Sequence, residues 1–264
     1  NKYNYSLNKN IYYQGNVENS INNTCIKHIK EFKIDSLINL GLKENLYNTC
    51  NVLISLNNNI IYNKIITSNN YIDSSLQNID YHALFDIGGI TNIASTTLAI
   101  MKLYENNLID IDKPLKYYLP QLTETNKANI TIKEILSHTS RIKEWIPFHK
   151  QIIKGDWFDD GIMSKEYSEQ YSIIVHDSLF LNKDFLKTIE KQINESHLYK
   201  RKTHLYSNIS FYYLKLIIEK ITNTTLDKYV YENIYKPLGL VYISYKPLDY
   251  LIDLSPTIIP SQID

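Results

Sequence analysis

Apolar residues recur at structured spacings from residue 31 onward, after thirty polar, asparagine-rich positions with little periodicity. Phe32, Ile34, Leu37, Ile38 and Leu40 permit a short helix over 31–42. Val52-Leu53-Ile54-Ser55-Leu56 and Ile60-Ile61-Tyr62-Asn63-Lys64-Ile65-Ile66 are β-rich runs on either side of Asn57-Asn58-Asn59. Asparagine tolerates the left-handed backbone of a tight turn, so this segment predicts a β-hairpin. A helix follows over 91–104, apolar nearly all round at Ile93, Ala94, Leu98, Ala99, Ile100, Met101 and Leu103. That is the pattern of a helix at the centre of a domain.

Asp112-Lys113-Pro114 breaks the pattern, and residues 115–119 lead to Pro120. Thr131-Ile132-Lys133-Glu134 has capping-box form and opens a helix through Ile135, Leu136 and His138. The polar, aromatic region 141–197 predicts helical stretches around 164–171 and 184–195. Leu214, Ile217, Ile218 and Ile221 mark an amphipathic helix over 211–221, and a last helix over 226–235 stops at Pro237-Leu238-Gly239. The order is a hairpin, a long helical segment, then a return toward a sheet whose strands are expected beyond Asp264. Residues 1–30 read as a linker or the tail of a preceding domain. Residues 31–264 read as one domain with a helical subdomain over about 108–240.

Charge narrows the function classes. The chain has 28 basic and 28 acidic side chains in 264 residues, so its overall balance gives no case for a nucleic-acid or anionic-membrane partner. No apolar run approaches the ~20 residues of a membrane span. The 23 tyrosines and abundant Asn, Ile and Lys are consistent with an A/T-rich coding sequence, which lowers the information in any one of them. The chain opens on Asn1 without a signal-peptide core and reads as a segment of something longer. Cys25 and Cys50 allow one disulfide or two buried thiols, which leaves the compartment open. His149, His176, His197 and His204 form no ligand spacing with cysteine, so neither metal nor cofactor is expected.

The candidate chemistry lies in Phe85-Asp86-Ile87-Gly88-Gly89-Ile90-Thr91-Asn92, in Leu108-Ile109-Asp110-Ile111-Asp112-Lys113-Pro114 with Tyr118-Leu119-Pro120, and in residues 130–140 through Ser137-His138-Thr139-Ser140. Tyr206-Ser207-Asn208 and Lys236-Pro237-Leu238-Gly239-Leu240 complete the set. Together, over about 34–264, they resemble class C β-lactamases and penicillin-binding-protein-like serine hydrolases. The resemblance implies an α/β (α+β) fold of the β-lactamase/transpeptidase type. Such a fold has an antiparallel sheet with flanking helices and an all-helical subdomain, with the sheet incomplete in this chain. Thr96-Thr97-Leu98-Ala99-Ile100-Met101-Lys102-Leu103-Tyr104 and Trp145-Ile146-Pro147-Phe148 are most similar to a subgroup fused behind family 3 β-N-acetylglucosaminidases. A preceding glycosidase domain, a cell-envelope or periplasmic location and a peptidoglycan-peptide or β-lactam-like ligand are implied with it.

In that family a Ser-x-x-Lys motif opens a buried helix, and the serine is acylated by a β-lactam or peptide carbonyl. The lysine and the tyrosine of a Tyr-x-Asn motif share the base role. Tyr206 matches that tyrosine and Asn208 the substrate-positioning amide. The serine position is Gly89, which has nothing to attack with; the lysine position is Asn92, which accepts no proton at neutral pH. No glycine follows a Lys-Thr or Lys-Ser pair, so the third motif is absent, and the family's glycine after His-Thr-Ser is Arg141. The implied reading is a hydrolase scaffold without its chemistry, either a pseudoenzyme or a fragment. Two alternatives stand beside it: a non-catalytic peptide-binding module, and a hydrolase using Ser95 or another serine. Tyr104-Glu105-Asn106 and Tyr231-Glu232-Asn233 share the Tyr-x-Asn spacing, while Ser6/Lys9 and Ser140/Lys143 share the Ser-x-x-Lys spacing as solvated chance pairs. His138 reads as a structural hydrogen-bonding residue. Without further strands the hairpin is expected to keep an open edge and an uncovered apolar face.

Overall fold

Two β-rich runs and a short amphipathic helix assemble the first of two units, Asn1–Asp86 with Pro247–Asp264. The structure, a computed structural model, describes residues 31–67, 83–154, 157–176, 178–247 and 258–259. The readings for 1–30, Cys25 and Ser6/Lys9 lie outside these. Helix α1 (Glu31–Lys43) precedes strands β1 (Thr49–Leu56) and β2 (Asn59–Thr67), which pair antiparallel with a bulge between Ile54 and Ser55. Asn57 and Asn58 take φ of 49° and 62°, as the hairpin turn requires. Ile38 and Leu42 of α1 bury against Tyr62, flanked by Val52, Ile54 and Ile66. The Asp35 carboxylate accepts from the Tyr62 hydroxyl at 2.5 Å and the Lys64 ammonium at 2.9 Å, and these bonds hold its pKa below the ordinary value. One face of the hairpin is therefore covered, which the apolar pattern of α1 permitted but did not announce. Leu53 and Leu56 stay exposed, and half-buried Cys50 is a free thiol. β3 (Leu84–Phe85) pairs in parallel with a strand at Ile258–Ile259.

The second unit, Ile87–Lys246, opens with a 3-10 turn at Gly88–Ile90 and a π-helical turn at Asn92–Thr97 that runs into α2 (Leu98–Glu105). The Thr97 hydroxyl donates to the Asn92 carbonyl at 2.8 Å, five residues back, which suits the wider turn. Ala99, Ile100 and Leu103 bury completely, whereas Ile93 is 68% and Met101 59% exposed. This helix is thus two-faced rather than buried all round, with Ile93 of its first turn and Met101 of α2 on the side left open to solvent.

Pro114 leads into α3 (Leu115–Tyr118), and Pro120 starts a 3-10 turn, Pro120–Leu122. α4 (Ile132–Leu136) carries the full capping box: Glu134 N–H donates to Thr131 Oγ1 and Thr131 N–H to Glu134 Oε2. α5 (His149–Ile152) is followed by β4 (Ile153–Lys154), β5 (Trp157–Phe158), β6 (Met163–Ser164), β7 (Tyr171–His176) and β8 (Leu179–Asn182), the last three an antiparallel sheet in the order β6-β8-β7. The helix expected over 164–171 is absent, and the segment 108–240 is not all-helical. Ser164 Oγ exchanges hydrogen bonds with the backbone of Glu166, and Ser168 Oγ accepts from Tyr171 N–H. These local bonds compete with a helix, and the β-branched Ile173-Ile174-Val175 run then extends.

The helices α6 (Phe185–Glu195), α7 (Ile209–Thr222) and α8 (Leu226–Val230) occupy the expected stretches, and a π-helical turn at Tyr231–Tyr235 precedes Pro237. α7 ends on Asn223 in the left-handed conformation. Its Leu214, Ile217 and Ile218 bury fully against Leu103, Leu115, Ile132, Ile135 and Val230. The last strand, β9 (Ile258–Ile259), is the partner of β3. No described helix is long and apolar enough to cross a membrane.

Candidate functional site

The four residues singled out from the motifs meet at one place. The turn holding Gly89 and Asn92 faces the arm holding Tyr206 and Asn208, 114 to 117 residues later in the chain. The Asn92 side-chain amide donates to the Tyr206 hydroxyl at 3.1 Å and to Asn208 Oδ1 at 2.8 Å. The Tyr206 hydroxyl donates to the Gly89 carbonyl at 3.3 Å. A Cβ on Gly89 would stand 2.7 Å from the Tyr206 hydroxyl and 3.6 Å from Asn208 Oδ1. The phenol has settled into the space a side chain at 89 would fill, so any such side chain must displace it. Both amide hydrogens of Asn92 are committed, in donor bonds that an ammonium could also make, but no proton there can be taken up or released.

The arm is held by its own sequence. Ser207 is buried: its hydroxyl donates to the Lys143 carbonyl at 2.6 Å and accepts from Ser210 N–H at 3.2 Å. Asn208 N–H donates to the Glu144 carbonyl, and Leu205 N–H to that of His138. His138 sits past the end of α4 at φ 54°, its ring 4.6 Å from that of Tyr206 and 5.5 Å from Phe211. Its Nδ1 accepts from Ser207 N–H at 3.3 Å, which puts the proton of the neutral ring on Nε2. Burial, reinforced by His204, holds its pKa below the ordinary value. His138 therefore supports the arm through its ring contacts and backbone bonds.

The rival residues fall elsewhere. Ser95 is 1% exposed, and its hydroxyl shares a 2.6 Å hydrogen bond with that of Tyr245. Tyr104-Glu105-Asn106 lies at the end of α2, and Asn233 of the other Tyr-x-Asn match donates to the Tyr229 carbonyl. Ser140, expected to be solvated, is buried and accepts from Ile142 N–H, because the chain turns inward there. Arg141 has φ 66°, which explains the glycine at this position in the resembling family. Arg141→Gly is expected to leave the fold intact and raise stability by up to about 1 kcal/mol, the left-handed strain outweighing the entropy of glycine. A urea midpoint unchanged or lower would count against this.

Two groups, one partly and one wholly buried, escaped sequence reasoning. Tyr245 clamps Ser95 beneath the site, and nothing in its own neighbourhood signals that. Lys127 sits in what reads as a polar loop yet is wholly buried, its ammonium donating to Asn126 Oδ1 at 2.6 Å and to the Asn194 and Ser196 carbonyls at the end of α6. No group of described His, Cys, Asp or Glu residues could hold a metal ion.

Comparison with known proteins gives the family. A family model described as Beta-lactamase matches residues 77–250, more than half of the chain. An Escherichia coli (strain K12) protein provisionally named a D-alanyl-D-alanine carboxypeptidase is 24% identical over 213 residues, covering 76% of this chain and 44% of the relative. The N-acetylmuramyl-L-alanine amidase of Bacillus subtilis (strain 168) is 27% identical over 172 residues, covering 62% and 34%. The chain thus spans less than half the length of these relatives. Among solved structures, FmtA from Staphylococcus aureus aligns with a TM-score of 0.54 at 22% identity, over 82% of this chain and 50% of that one. The octameric penicillin-binding protein homologue from Pyrococcus abyssi aligns at 0.55 and 19%, over 80% and 43%. These likenesses show a β-lactamase/transpeptidase-like fold of mixed helices and sheets. The chain belongs to the beta-lactamase family.

Proposed function

We propose that this domain is a β-lactamase/penicillin-binding-protein-like serine hydrolase scaffold that does not carry out acyl transfer. The observation that supports this most is the pairing of Gly89 with Tyr206, the phenol resting where a nucleophile's side chain would stand. Asn92 adds to it: a neutral amide joins Tyr206 and Asn208 and cannot act as a base. Loss of a nucleophile alone removes most of the acceleration in enzymes of this kind. The engagement of buried Ser95 with Tyr245 argues against a substitute serine there. Intact-mass measurement after incubation with a fluorescent penicillin tests the proposal; a covalent increment would overturn it.

A second reading, non-catalytic binding of a peptidoglycan peptide, is favoured by the exposure of the arm. Tyr206 is 44% exposed and Asn208 is also open to solvent, so an amide and a phenol remain available to a ligand. Titrating a D-Ala-D-Ala-terminated peptide into the protein separates the two readings: saturable binding lost in Asn208→Ala favours the second. The proposal extends to origin. The wording of residues 96–104 and 145–148 supports a domain joined to a cell-wall glycosidase, and with it a place in the envelope or periplasm.

A further inference from the structure

The neutral overall charge conceals a local segregation. Residues 138–144 and 198–208 run side by side, with an antiparallel bridge between Ile142 and Leu198 and a 2.9 Å bond from Tyr199 N–H to the Arg141 carbonyl. Ile142 turns into the core, so its neighbours Arg141 and Lys143 face outward beside the exposed Lys200 and Arg201. With Lys202 that makes five cations against two carboxylates, Glu134 and Glu144. Both carboxylates are already engaged, Glu134 by Lys202 and the capping box, Glu144 by the Tyr199 hydroxyl at 2.7 Å. Among the described residues no salt bridge involves Arg141, Lys200 or Arg201, and Lys143 makes none either, although its charge acts on the adjacent Glu144 carboxylate.

Apolar side chains stand next to this charge. Trp145 is 56% exposed and follows Glu144, whose carbonyl is bonded to Asn208. Across the Asn208–Asn92 bond, Ile90 and Ile93 are exposed as well. We propose that this face docks on an anionic phospholipid surface, with the basic residues among the phosphates and Trp145 and the isoleucines at the headgroup boundary. Lysine and arginine attract an anionic leaflet, and tryptophan favours the interface between headgroups and chains. A single-stranded nucleic acid would use the same charge and aromatic faces, but the exposed aliphatic residues would contribute nothing to it. Membrane contact at this face would hold the Tyr206–Asn208 arm against the leaflet.

The test is co-sedimentation of the full chain with vesicles containing about 30% phosphatidylglycerol in phosphatidylcholine, against phosphatidylcholine alone. Binding is expected only with the anionic vesicles and should fall steeply as salt is raised to about 0.5 M, where the screening length is only a few ångströms. Lys143→Gln/Lys200→Gln/Arg201→Gln should weaken it about a hundredfold, at about fivefold for each residue removed. Thermal unfolding checks that this variant is folded. Trp145→Ala, which leaves the charge intact, should weaken binding at both salt concentrations. The proposal is overturned by equal binding to neutral vesicles, by a folded triple variant that binds as well as the parent, or by capture of a DNA oligonucleotide without vesicle binding.

Discussion

Replacing Lys127 by methionine is expected to lower the unfolding free energy by about 1–2 kcal/mol at pH 7. Methionine fills the same volume, so no cavity term enters. What is lost is the donor to Asn126 Oδ1 and to the Asn194 and Ser196 carbonyls. Exposed Asn126 can turn to water and Ser196 keeps the bond from the Asn126 side-chain amide, so the cost falls mainly on the Asn194 carbonyl, about 1–3 kcal/mol, reduced by relief of the buried charge. The pH dependence distinguishes this from a packing effect. Burial lowers the ammonium to about 8 in the folded protein, against 10.5 for an ordinary lysine. Between those values the unfolded chain holds a proton that the folded chain has released, so stability rises with pH across the window. Relative to Lys127→Met, the parent should gain about 1–2 kcal/mol between pH 7.5 and 9.5 in urea titrations. The three oxygen acceptors favour the charged form and place the gain toward the lower end. Tyr213, whose pKa burial raises, acts in the opposite direction at higher pH and is common to both proteins. A flat difference would mean that Lys127 keeps its proton throughout.

The second large effect is a gain. Gly89→Ser combined with Asn92→Lys is expected to form a covalent adduct with a penicillin on the introduced serine, whereas either substitution alone should leave the mass unchanged. Nucleophile and base act as a unit, so restoring one without the other recovers little. The serine Cβ would stand 2.7 Å from the Tyr206 hydroxyl, which must therefore move away to reach ordinary van der Waals contact. Tyr206 is 44% exposed, and Asn92→Lys removes the amide that bonds its hydroxyl, so the phenol has solvent to move into once its bond to the Gly89 carbonyl breaks. The reaction should be slow in the 264-residue chain as tested, whose sequence holds no Lys-Thr-Gly-like segment to complete an oxyanion hole, and one missing donor costs about 10²–10³ in rate. Adduct accumulation over hours, read by intact mass, is the expected result. No adduct after prolonged incubation would show that the scaffold, too, is unsuited to the chemistry.

Features with strong local determinants were legible in the sequence. Asn57 and Asn58 set the hairpin turn, Thr131 and Glu134 capped their helix reciprocally, and the Leu214/Ile217/Ile218/Ile221 spacing marked the central helix α7. Gly89, Asn92, Tyr206 and Asn208 were picked out through a resemblance, and no local pattern would have joined residues more than a hundred positions apart. What failed to show depended on tertiary context. The serines near 164–171 carry no periodicity that would reveal side-chain bonds to their own backbone. Lys127 looks like any loop lysine until the end of α6 meets it. Ile93 and Met101 belong to an apolar run whose exposed face depends on what packs around it.

We propose that the family's acyl chemistry is missing from the natural chain. Intact-mass spectrometry after incubation with a fluorescent penicillin tests it most directly, with the Gly89→Ser/Asn92→Lys variant run alongside. The expected result is an unmodified mass for the natural chain and a stoichiometric increment for the variant. A stoichiometric adduct on the natural chain, mapped to any serine, would contradict the claim and show that another residue does the work.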